Sequence, residues 1–358
     1  MIMIFKFVKK TMSIFHSLTV SAIDRLTDKS VVVSLEVPEN LAASFVFEAG
    51  QYISLEVTID KVVVRRSYSI CCSPQSGNLQ VGIKEVPGGV FSAYVNRILS
   101  VGDDFRVGVP EGRFTLKGSR QTKTVVGIAA GSGITPIISL LKSVLLSDQD
   151  TSFVLLYGNK SPEETMFYDE LLSLEKNHSK RLKIHWVFSQ SNQDNGHFGR
   201  IDASLINYLI HQIETPSKAS FYLCGPEAMI NMSSEELLEK GVSKESLFFE
   251  LFSSNTNKAK VTEAAKKGLL SLTCDDVTHS LELIPGKTLL DIALQAKLDV
   301  PYSCQGGVCS TCIAKVTQGK AGMENNQVLT DEEVEEGLVL SCQAIAQTEH
   351  ISLNYDDV

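Results

Sequence analysis

Tyr302-Ser303-Cys304-Gln305-Gly306-Gly307-Val308-Cys309-Ser310-Thr311-Cys312 carries three cysteines at C-x4-C-x2-C spacing. A fourth arrives later, in Leu340-Ser341-Cys342-Gln343-Ala344. This pattern suits a [2Fe–2S] cluster, because two irons need four thiolates and one tight loop can supply three of them. Gly306 and Gly307 let the backbone bend closely and aim N–H groups at the sulfides. A zinc knuckle or four buried thiols are the alternatives. Zinc sites favour two separate short C-x2-4-C pairs, whereas here the two short spacings share Cys309 and Cys342 stands alone. No histidine stands beside Cys342 as a substitute ligand. The expected metal ligands are therefore Cys304, Cys309, Cys312 and Cys342.

The chain has 358 residues and 43% hydrophobic content, enough for two or three domains. The other four cysteines, Cys71, Cys72, Cys224 and Cys274, are scattered, which suits a reducing compartment. From Met1 to Lys10 the apolar part is too short to span a bilayer. Its charges follow the apolar part and no small-residue cleavage site is present, so it is not a signal peptide. A ragged N-terminus is expected, with Met12 as the natural start. No other segment reads as membrane-spanning, and a cytoplasmic protein without a membrane partner is expected.

The net charge of −9 is unevenly spread. Residues 269–358 hold 14 acidic and 4 basic residues, while residues 1–268 hold 28 and 29. Nucleic acid is an unsuitable partner, since phosphates need the opposite sign. An acidic module beside a neutral body suits docking onto a basic protein surface.

From Phe15 to about Leu116 the pattern is β-rich. Ser30–Val37, Gln51–Val57, Val62–Val64 after an Asp60-Lys61 turn, and Leu79–Lys84 read as strands of an antiparallel barrel. Arg65-Arg66-Ser67-Tyr68-Ser69-Ile70 contains R-x-Y-S. Arg can pair with a phosphate, Tyr can pack on an isoalloxazine ring, and a Ser hydroxyl can hydrogen-bond near a flavin nitrogen. Gly88-Gly89-Val90-Phe91-Ser92 reads as a glycine turn opening a helix to about Leu99, whose N-terminus is a pyrophosphate seat.

After Gly118 the pattern becomes α/β. Thr124–Ala130 is a continuous apolar run, as in a buried parallel strand. Gly131-Ser132-Gly133-Ile134-Thr135-Pro136 then opens a helix, with Pro136 expected at its first position. The third glycine of the Rossmann fingerprint is absent. Strands over 153–157, 183–188 and 219–223 alternate with helices, as a doubly wound sheet requires. Their ends carry Gly158-Asn159, Ser189-Gln190 and Cys224-Gly225-Pro226, where such sheets bind ligands. An isolated Cys is commonly a small buried residue; the place of Cys224, directly after a strand, favours a site.

Residues 253–268 are polar and small, as in a linker. Leu269–Cys274 and His279–Ile284 form an expected hairpin, and Thr288–Lys297 an expected helix. Ile313–Val316 reads as a strand, and Thr330–Gly337 as a short helix with a Thr330/Glu333 capping box and a Gly337 stop.

Taken together, R-x-Y-S, the Gly-Gly helix start, G-x-G-x-T-P, the C-G-P turn and the Glu250-Leu251-Phe252 stretch resemble the ferredoxin–NADP reductase family, fused to a C-terminal plant-type ferredoxin. The resemblance covers nearly everything from Ser13 onward. It implies three domains: an antiparallel flavin-binding β-barrel over 13–117, a doubly wound parallel nicotinamide-binding domain over 118–252 and, after the linker 253–268, a β-grasp ferredoxin domain over 269–358. It implies FAD, rather than FMN, on Arg66, Ser67, Tyr68, Ser69, Ile83 and Lys84, with the pyrophosphate at Gly89, Val90, Phe91 and Ser92. A nicotinamide nucleotide would lie on Gly131, Ser132, Gly133, Thr135, Pro136, Asn159, Ser189, Gln190, Cys224, Gly225 and Pro226. Ser69, Cys224 and Glu250 would act catalytically. Lys160 and Arg200 are candidates for a 2′-phosphate, so NADPH is expected with NADH left open. The segments Phe15–Val20, Ile128–Pro136, Tyr157–Lys160 and Leu340–Ala344 are similar to reductase subunits of ring-epoxidising complexes, which implies a diiron-type oxygenase component as electron acceptor. A reductase of another oxygenase or hydroxylase, or of small-molecule acceptors, is the alternative.

Overall fold

The computed structural model describes residues 15–116, 123–147, 150–194, 196–252 and 267–358. The expected start region, the 117/118 boundary and the linker residues 253–266 lie outside them. The chain divides into two compact units, His16–Ser253 and Ser254–Val358.

The first unit begins with a six-stranded antiparallel sheet. Its strands are β1 (Phe15–Thr27), β2 (Ser30–Glu36), β3 (Tyr52–Ile59), β4 (Val62–Ser69), β5 (Leu79–Lys84) and, after helix α1 (Val90–Arg97), β6 (Asp104–Gly108). The spatial order is β4-β3-β6-β1-β2-β5. Alternating residues such as Val31, Val33 and Leu35, or Ile53 and Leu55, turn inward and bury against Phe105 and Val107. Asp60 and Lys61 both have positive φ (49° and 66°), as a two-residue hairpin turn between right-twisted strands demands. An Ile70–Val81 bridge joins the two outer strands, so the sheet curls into a barrel.

The second sheet of this unit is wholly parallel. It contains β7 (Thr124–Ala130), β8 (Ser152–Asn159), β9 (Leu182–Phe188), β10 (Gly196–Phe198), β11 (Ala219–Cys224) and β12 (Leu247–Glu250), in the order β10-β9-β8-β7-β11-β12. Helices α2 (Ile134–Ser147), α3 (Tyr168–Asn177), α4 (Ala203–His211) and α5 (Glu227–Glu239) connect them. The order reverses between β7 and β11, so a crevice for ligands opens at their carboxyl ends. Barrel and parallel sheet share a core: Val32, Ala49, Cys71 and Phe114 bury with Ile137, Leu141, Phe153 and Trp186. Ser139 Oγ donates to the Cys72 carbonyl (2.6 Å) and Tyr222 Oη to the Thr115 carbonyl (3.1 Å) across the same seam.

The second unit is a mixed sheet with a helix packed on it. Its elements are β13 (Leu269–Cys274), β14 (Val277–Glu282), α6 (Leu289–Gln295), β15 (Ile313–Gln318), β16 (Ala321–Met323), α7 (Asp331–Glu335), β17 (Leu338–Leu340), β18 (Ala344–Ala346) and β19 (His350–Asn354). The main order is β14-β13-β19-β15-β17, with β13 and β19 parallel and the other pairs antiparallel. That is the β-grasp arrangement. Thr288 with Asp291 and Thr330 with Glu333 form capping boxes on α6 and α7. Gly337 ends α7 with φ 94°.

Three sequence expectations are corrected. β14 starts at Val277 rather than His279, because Asp275 and Asp276 (φ 53° and 59°) make a two-residue turn. Pro136 is third in α2, because Gly131–Gly133 form a 3-10 turn ahead of it; its missing N–H still falls in the first turn, where none is needed. Gly268 belongs to the fold rather than to a linker: its carbonyl accepts from Leu283 N (2.9 Å).

Candidate functional site

The R-x-Y-S strand lies at the edge of the barrel with its residues in different settings. Arg66 is exposed, and its Nη1 donates to the Arg65 carbonyl (2.7 Å). Arg65 instead pairs with buried Glu56 through Nε and Nη2 (2.9 and 2.7 Å), and Arg106 takes the other carboxylate oxygen (2.7 Å). The two adjacent arginines thus divide the work: Arg65 braces the barrel, and Arg66 is left to face an anion. Tyr68 is half-buried, 5.5 Å from the Phe91 ring, which stacks on Phe105. Burial pushes the Tyr68 phenol up, so it stays neutral. Ser67 Oγ lies 3.3 Å from Ser54 Oγ. Ile83 and Phe91 point into the barrel core, so what they offer a ligand is backbone. Lys84 is half-buried and its ammonium is pushed down by burial, with Glu164 opposing and Lys160 and Lys29 reinforcing the shift.

Helix α1 starts at Gly89 without a side-chain cap, so the N–H groups of Val90, Phe91 and Ser92 have no partner one turn back. Ser92 Oγ is occupied within the loop, accepting from Val86 N (3.2 Å) and donating to the Gly89 carbonyl (3.3 Å). Amides left open at a helix start in this way can receive a phosphate.

The loop after β7 turns sharply. Gly131 has φ 55° in open space, and Tyr157 Oη donates to its carbonyl (2.9 Å). Gly133 packs against the end of β11 so closely that a Cβ there would stand 2.1 Å from the Cys224 carbonyl oxygen. Gly133→Ala is therefore expected to cost about 3 kcal/mol and to lower the melting temperature of this unit by about 6–12 °C, read by calorimetry. Thr135 is buried, donates to the Ser132 carbonyl (3.1 Å) and sets its methyl against Gly82 of β5. It wedges the barrel against the loop. Pro136 is buried behind it, and Ser132 remains half-exposed.

The other strand ends converge on the same crevice. Asn159, at the end of β8, accepts from Ser189 N through its carbonyl (3.0 Å), and its side-chain amide is buried beside the Tyr157 hydroxyl. Gln190 N donates to the Lys160 carbonyl (2.9 Å). Lys160 pairs with Glu164 (3.6 Å) in an exposed setting. Gly225 follows Cys224 with Met229 Cε 2.7 Å from where its Cβ would be, and Pro226 then caps α5.

Ser69, Cys224 and Glu250, far apart in sequence, meet here. β11 pairs with β12 so that Cys224 stands beside Glu250, and Ser69 Oγ donates to Glu250 Oε2 (3.2 Å). Burial pushes the Glu250 carboxyl up to about 8, against the opposing hydrogen bond from Ser69. Burial also pushes the Cys224 thiol well up, with Glu250 adding to it, so this thiol is neutral and no nucleophile.

In the second unit the loop between α6 and β15 gathers its cysteines with Cys342. The Cys304 thiol lies beside those of Cys309 and Cys342, and the Cys312 thiol beside that of Cys342. Gly306 N–H points at Cys304 Sγ (3.4 Å). A tetrahedral zinc with Zn–S bonds of about 2.3 Å would set all four sulfurs about 3.8 Å apart. Among the described residues, the ligand group that falls wholly within 4.8 Å is Cys274, Asp275 and Asp356, not this set. Three thiols from one loop and Cys342 from another segment, with the Gly306 amide turned on Cys304 Sγ, make a donor set that fits an iron–sulfur cluster.

Residues 17–116 match the family described as oxidoreductase FAD-binding domain, 128–235 the oxidoreductase NAD-binding domain, and 272–347 the 2Fe-2S iron-sulfur cluster binding domain. The chain is 32% identical to one of the subunits that make up the 1,2-phenylacetyl-CoA epoxidase of Escherichia coli (strain K12), over 96% of this chain and 99% of that protein. It belongs to the family of oxygenase reductase components. The reductase is also 31% identical to the ferredoxin reductase component of 3-ketosteroid-9-alpha-monooxygenase from Rhodococcus rhodochrous, over 94% and 96% of the two chains. In fold it is similar to phthalate dioxygenase reductase, with a TM-score of 0.62, 24% identity and coverage of 95% and 98%. The reductase carries flavin, nicotinamide and [2Fe–2S] domains and transfers electrons to an oxygenase. No helix among its described residues is long and apolar enough to cross a membrane.

Sequence reasoning missed the Arg65–Glu56–Arg106 brace and the polar residues behind the cysteine loop, Asn325 and Gln343. Two adjacent arginines before Ser-Tyr-Ser signal two roles, since neighbours on a strand face opposite ways.

Proposed function

We propose that this reductase takes hydride from NADPH onto FAD and passes single electrons through the [2Fe–2S] cluster to a diiron-type oxygenase, that of a phenylacetyl-CoA epoxidase complex. The meeting of Ser69 with Glu250 beside Cys224, where a barrel strand reaches the carboxyl end of the parallel sheet, carries the reading. FAD bound there supplies the conversion of a two-electron donor into one-electron steps that the cluster can accept. Arg66 and the amides of Val90 to Ser92, opened by the Gly89 turn, hold the pyrophosphate. Tyr68 presents part of its ring to the flavin. Ser69 offers a hydroxyl at the reacting face, and Glu250 holds a proton behind it. Gly131 to Pro136 shape the loop that receives the nucleotide, and the buried Asn159 side-chain amide stands at the strand end beside it. Cys224 and Gly225 border the nicotinamide, with Ser189 and Gln190 toward the ribose. Cys304, Cys309, Cys312 and Cys342 hold the cluster.

The acceptor is suggested by the relative from Escherichia coli, whose likeness spans nearly all of both chains. Eight free thiols favour a reducing, cytoplasmic setting. The acidic ferredoxin segment suits a basic docking face. Domain limits of 13–117 and 118–252, and a ferredoxin domain that takes in Gly268 ahead of 269–358, are part of this reading.

NADPH is preferred for a local reason. Gly199 N donates to the Phe188 carbonyl (2.9 Å), which brings exposed Arg200 to the end of β9. Arg200 makes no ion pair among the described residues, whereas Lys160 is engaged with Glu164. Arg200→Gln is expected to lower kcat/KM for NADPH about 10- to 100-fold and to leave NADH unaffected, measured by steady-state dye reduction.

The deciding experiment is a visible spectrum of anaerobic protein before and after NADPH. Flavin and iron–sulfur bands that both bleach uphold the path. A colourless protein ends it. Turnover with the 3-ketosteroid oxygenase component and none with the epoxidase would reassign the acceptor.

A further inference from the structure

We infer that Gln343 is a positioning residue that aims an amide at the cluster and so sets how readily the cluster takes an electron. This rests on the reading that Cys304, Cys309, Cys312 and Cys342 hold a [2Fe–2S] cluster. Gln343 follows the fourth cysteine directly and is 4% exposed. Its Nε2 donates to the carbonyls of Gln305 and Cys342, both at 3.0 Å, and stands 3.7 Å from Cys342 Sγ. All three neighbours are acceptors. The opposite amide orientation would set oxygen against oxygen and sulfur, so the NH2 end must face them.

The bond to Gln305 has a geometric consequence. A planar trans peptide points its carbonyl and its N–H in opposite directions. Holding the Gln305 carbonyl on Gln343 therefore turns the Gly306 N–H the other way, and that N–H lies 3.4 Å from Cys304 Sγ. The next two carbonyls are held as well: Asn325 Nδ2 donates to Gly306 O (2.6 Å), and Gln327 N donates to Gly307 O (3.1 Å). Gln305 and Gly307 accept left-handed φ values of 53° and 75° in consequence. The space is closed around them, since a Cβ on Gly307 would stand 2.7 Å from Asn325 O and 2.9 Å from Gln343 Cγ.

N–H groups directed at cysteine sulfur stabilise the more negative, reduced cluster. Gln343 contributes twice, through the Gly306 amide that it orients and through its own NH2, one hydrogen of which is shared between the Cys342 carbonyl and Cys342 Sγ. Removing it makes the cluster harder to reduce.

The test compares the full-length holoprotein with its Gln343→Met variant, which keeps length and apolar bulk but has no donor. Iron and sulfide are counted per chain, and the cluster is titrated anaerobically with mediators while the reduced signal is followed by electron paramagnetic resonance. The expected result is full iron content with the reduction equilibrium shifted about tenfold toward the oxidised form, about 59 mV for one electron. Full iron content with an unshifted equilibrium overturns the inference and leaves the cluster reading intact. If Gln343→Met takes up no iron, the decision passes to protein that keeps Gln343, carries Gln305→Ala and is labelled with side-chain 15N-glutamine. A 15N coupling to the reduced cluster upholds the donor, and none overturns it. An unaltered protein without iron and sulfide overturns the inference together with the reading it rests on.

Discussion

Cys342→Ser is expected to cut electron delivery to the oxygenase by about 10³-fold or more, while NADPH-driven reduction of a small dye stays within about twofold of the parent. The argument is one of separate cores. Cys342 is 5% exposed and packs with Leu289, Leu340, Ala344 and Leu353, all in the second unit. Flavin and nicotinamide residues sit on two clusters formed wholly within residues 18–248. Losing the cluster therefore leaves the hydride-accepting half folded and active toward a dye, and closes the only proposed route to a protein acceptor. Partners outside the ligand shell of a metal typically contribute 10- to 100-fold, and a ligand contributes more. Parallel assays with a dye and with the purified oxygenase, beside an iron count, check the outcome. Undiminished oxygenase turnover by a cluster-free variant would mean that the cysteine loop is not on the path.

Ser69→Ala should slow flavin reduction by NADPH about 10²- to 10³-fold with little change in KM, read by stopped-flow absorbance. Ser69 is buried at the seam, and its hydroxyl touches Glu250 at 3.2 Å. Its loss removes the hydroxyl from the reacting face and the hydrogen bond that opposes the burial of Glu250. The pH profile separates the two residues. Glu250, with its carboxyl near 8, is mostly neutral at pH 7 and becomes a carboxylate as pH rises through that value. A carboxylate beside a centre that gains negative charge on hydride arrival is repulsive. In the parent the rate of flavin reduction should therefore fall as pH rises through about 8. Glu250→Gln keeps an acceptor for Ser69 and cannot ionise, so its profile should be flat there. A parental profile flat from pH 6 to 9, or a Glu250→Gln profile that still falls, would remove Glu250 from the mechanism.

Local pattern made much of this molecule legible. The apolar run Thr124–Ala130 is a parallel strand, the Gly89 turn opens a helix, and Thr330 with Glu333 forms a capping box, because each depends on residues within one turn or one strand. Where the outcome depends on distant partners, pattern said less. Curling of the barrel depends on Ile70 meeting Val81, and β19 completes the second unit by lying parallel to a strand about 80 positions earlier. The second strand of the hairpin after Cys274 begins two residues earlier than its hydrophobic spacing suggests, because two aspartates adopt positive φ, a state that Asn and Asp tolerate and that leaves no mark in that spacing. Arg65 and Arg66 look alike in sequence, and only Glu56 across the strand pair tells them apart. The spacing of the four cysteines is visible in the sequence, while the contacts of Gln343 and Asn325 are not, since what they hold is backbone, and backbone acceptors have no sequence signature.

The seam between barrel and parallel sheet bears on how such a protein can be inherited. Phe114 and Cys71 from the barrel are buried among side chains of α2 and β8, and Ser139 and Tyr222 reach back to barrel carbonyls. Neither half can be exchanged for a foreign counterpart without leaving apolar surface and carbonyls stranded. The ferredoxin unit keeps its own core. Recombination can therefore move that unit to another position in a gene or to another gene, while the flavin and nicotinamide halves have to travel as one cassette.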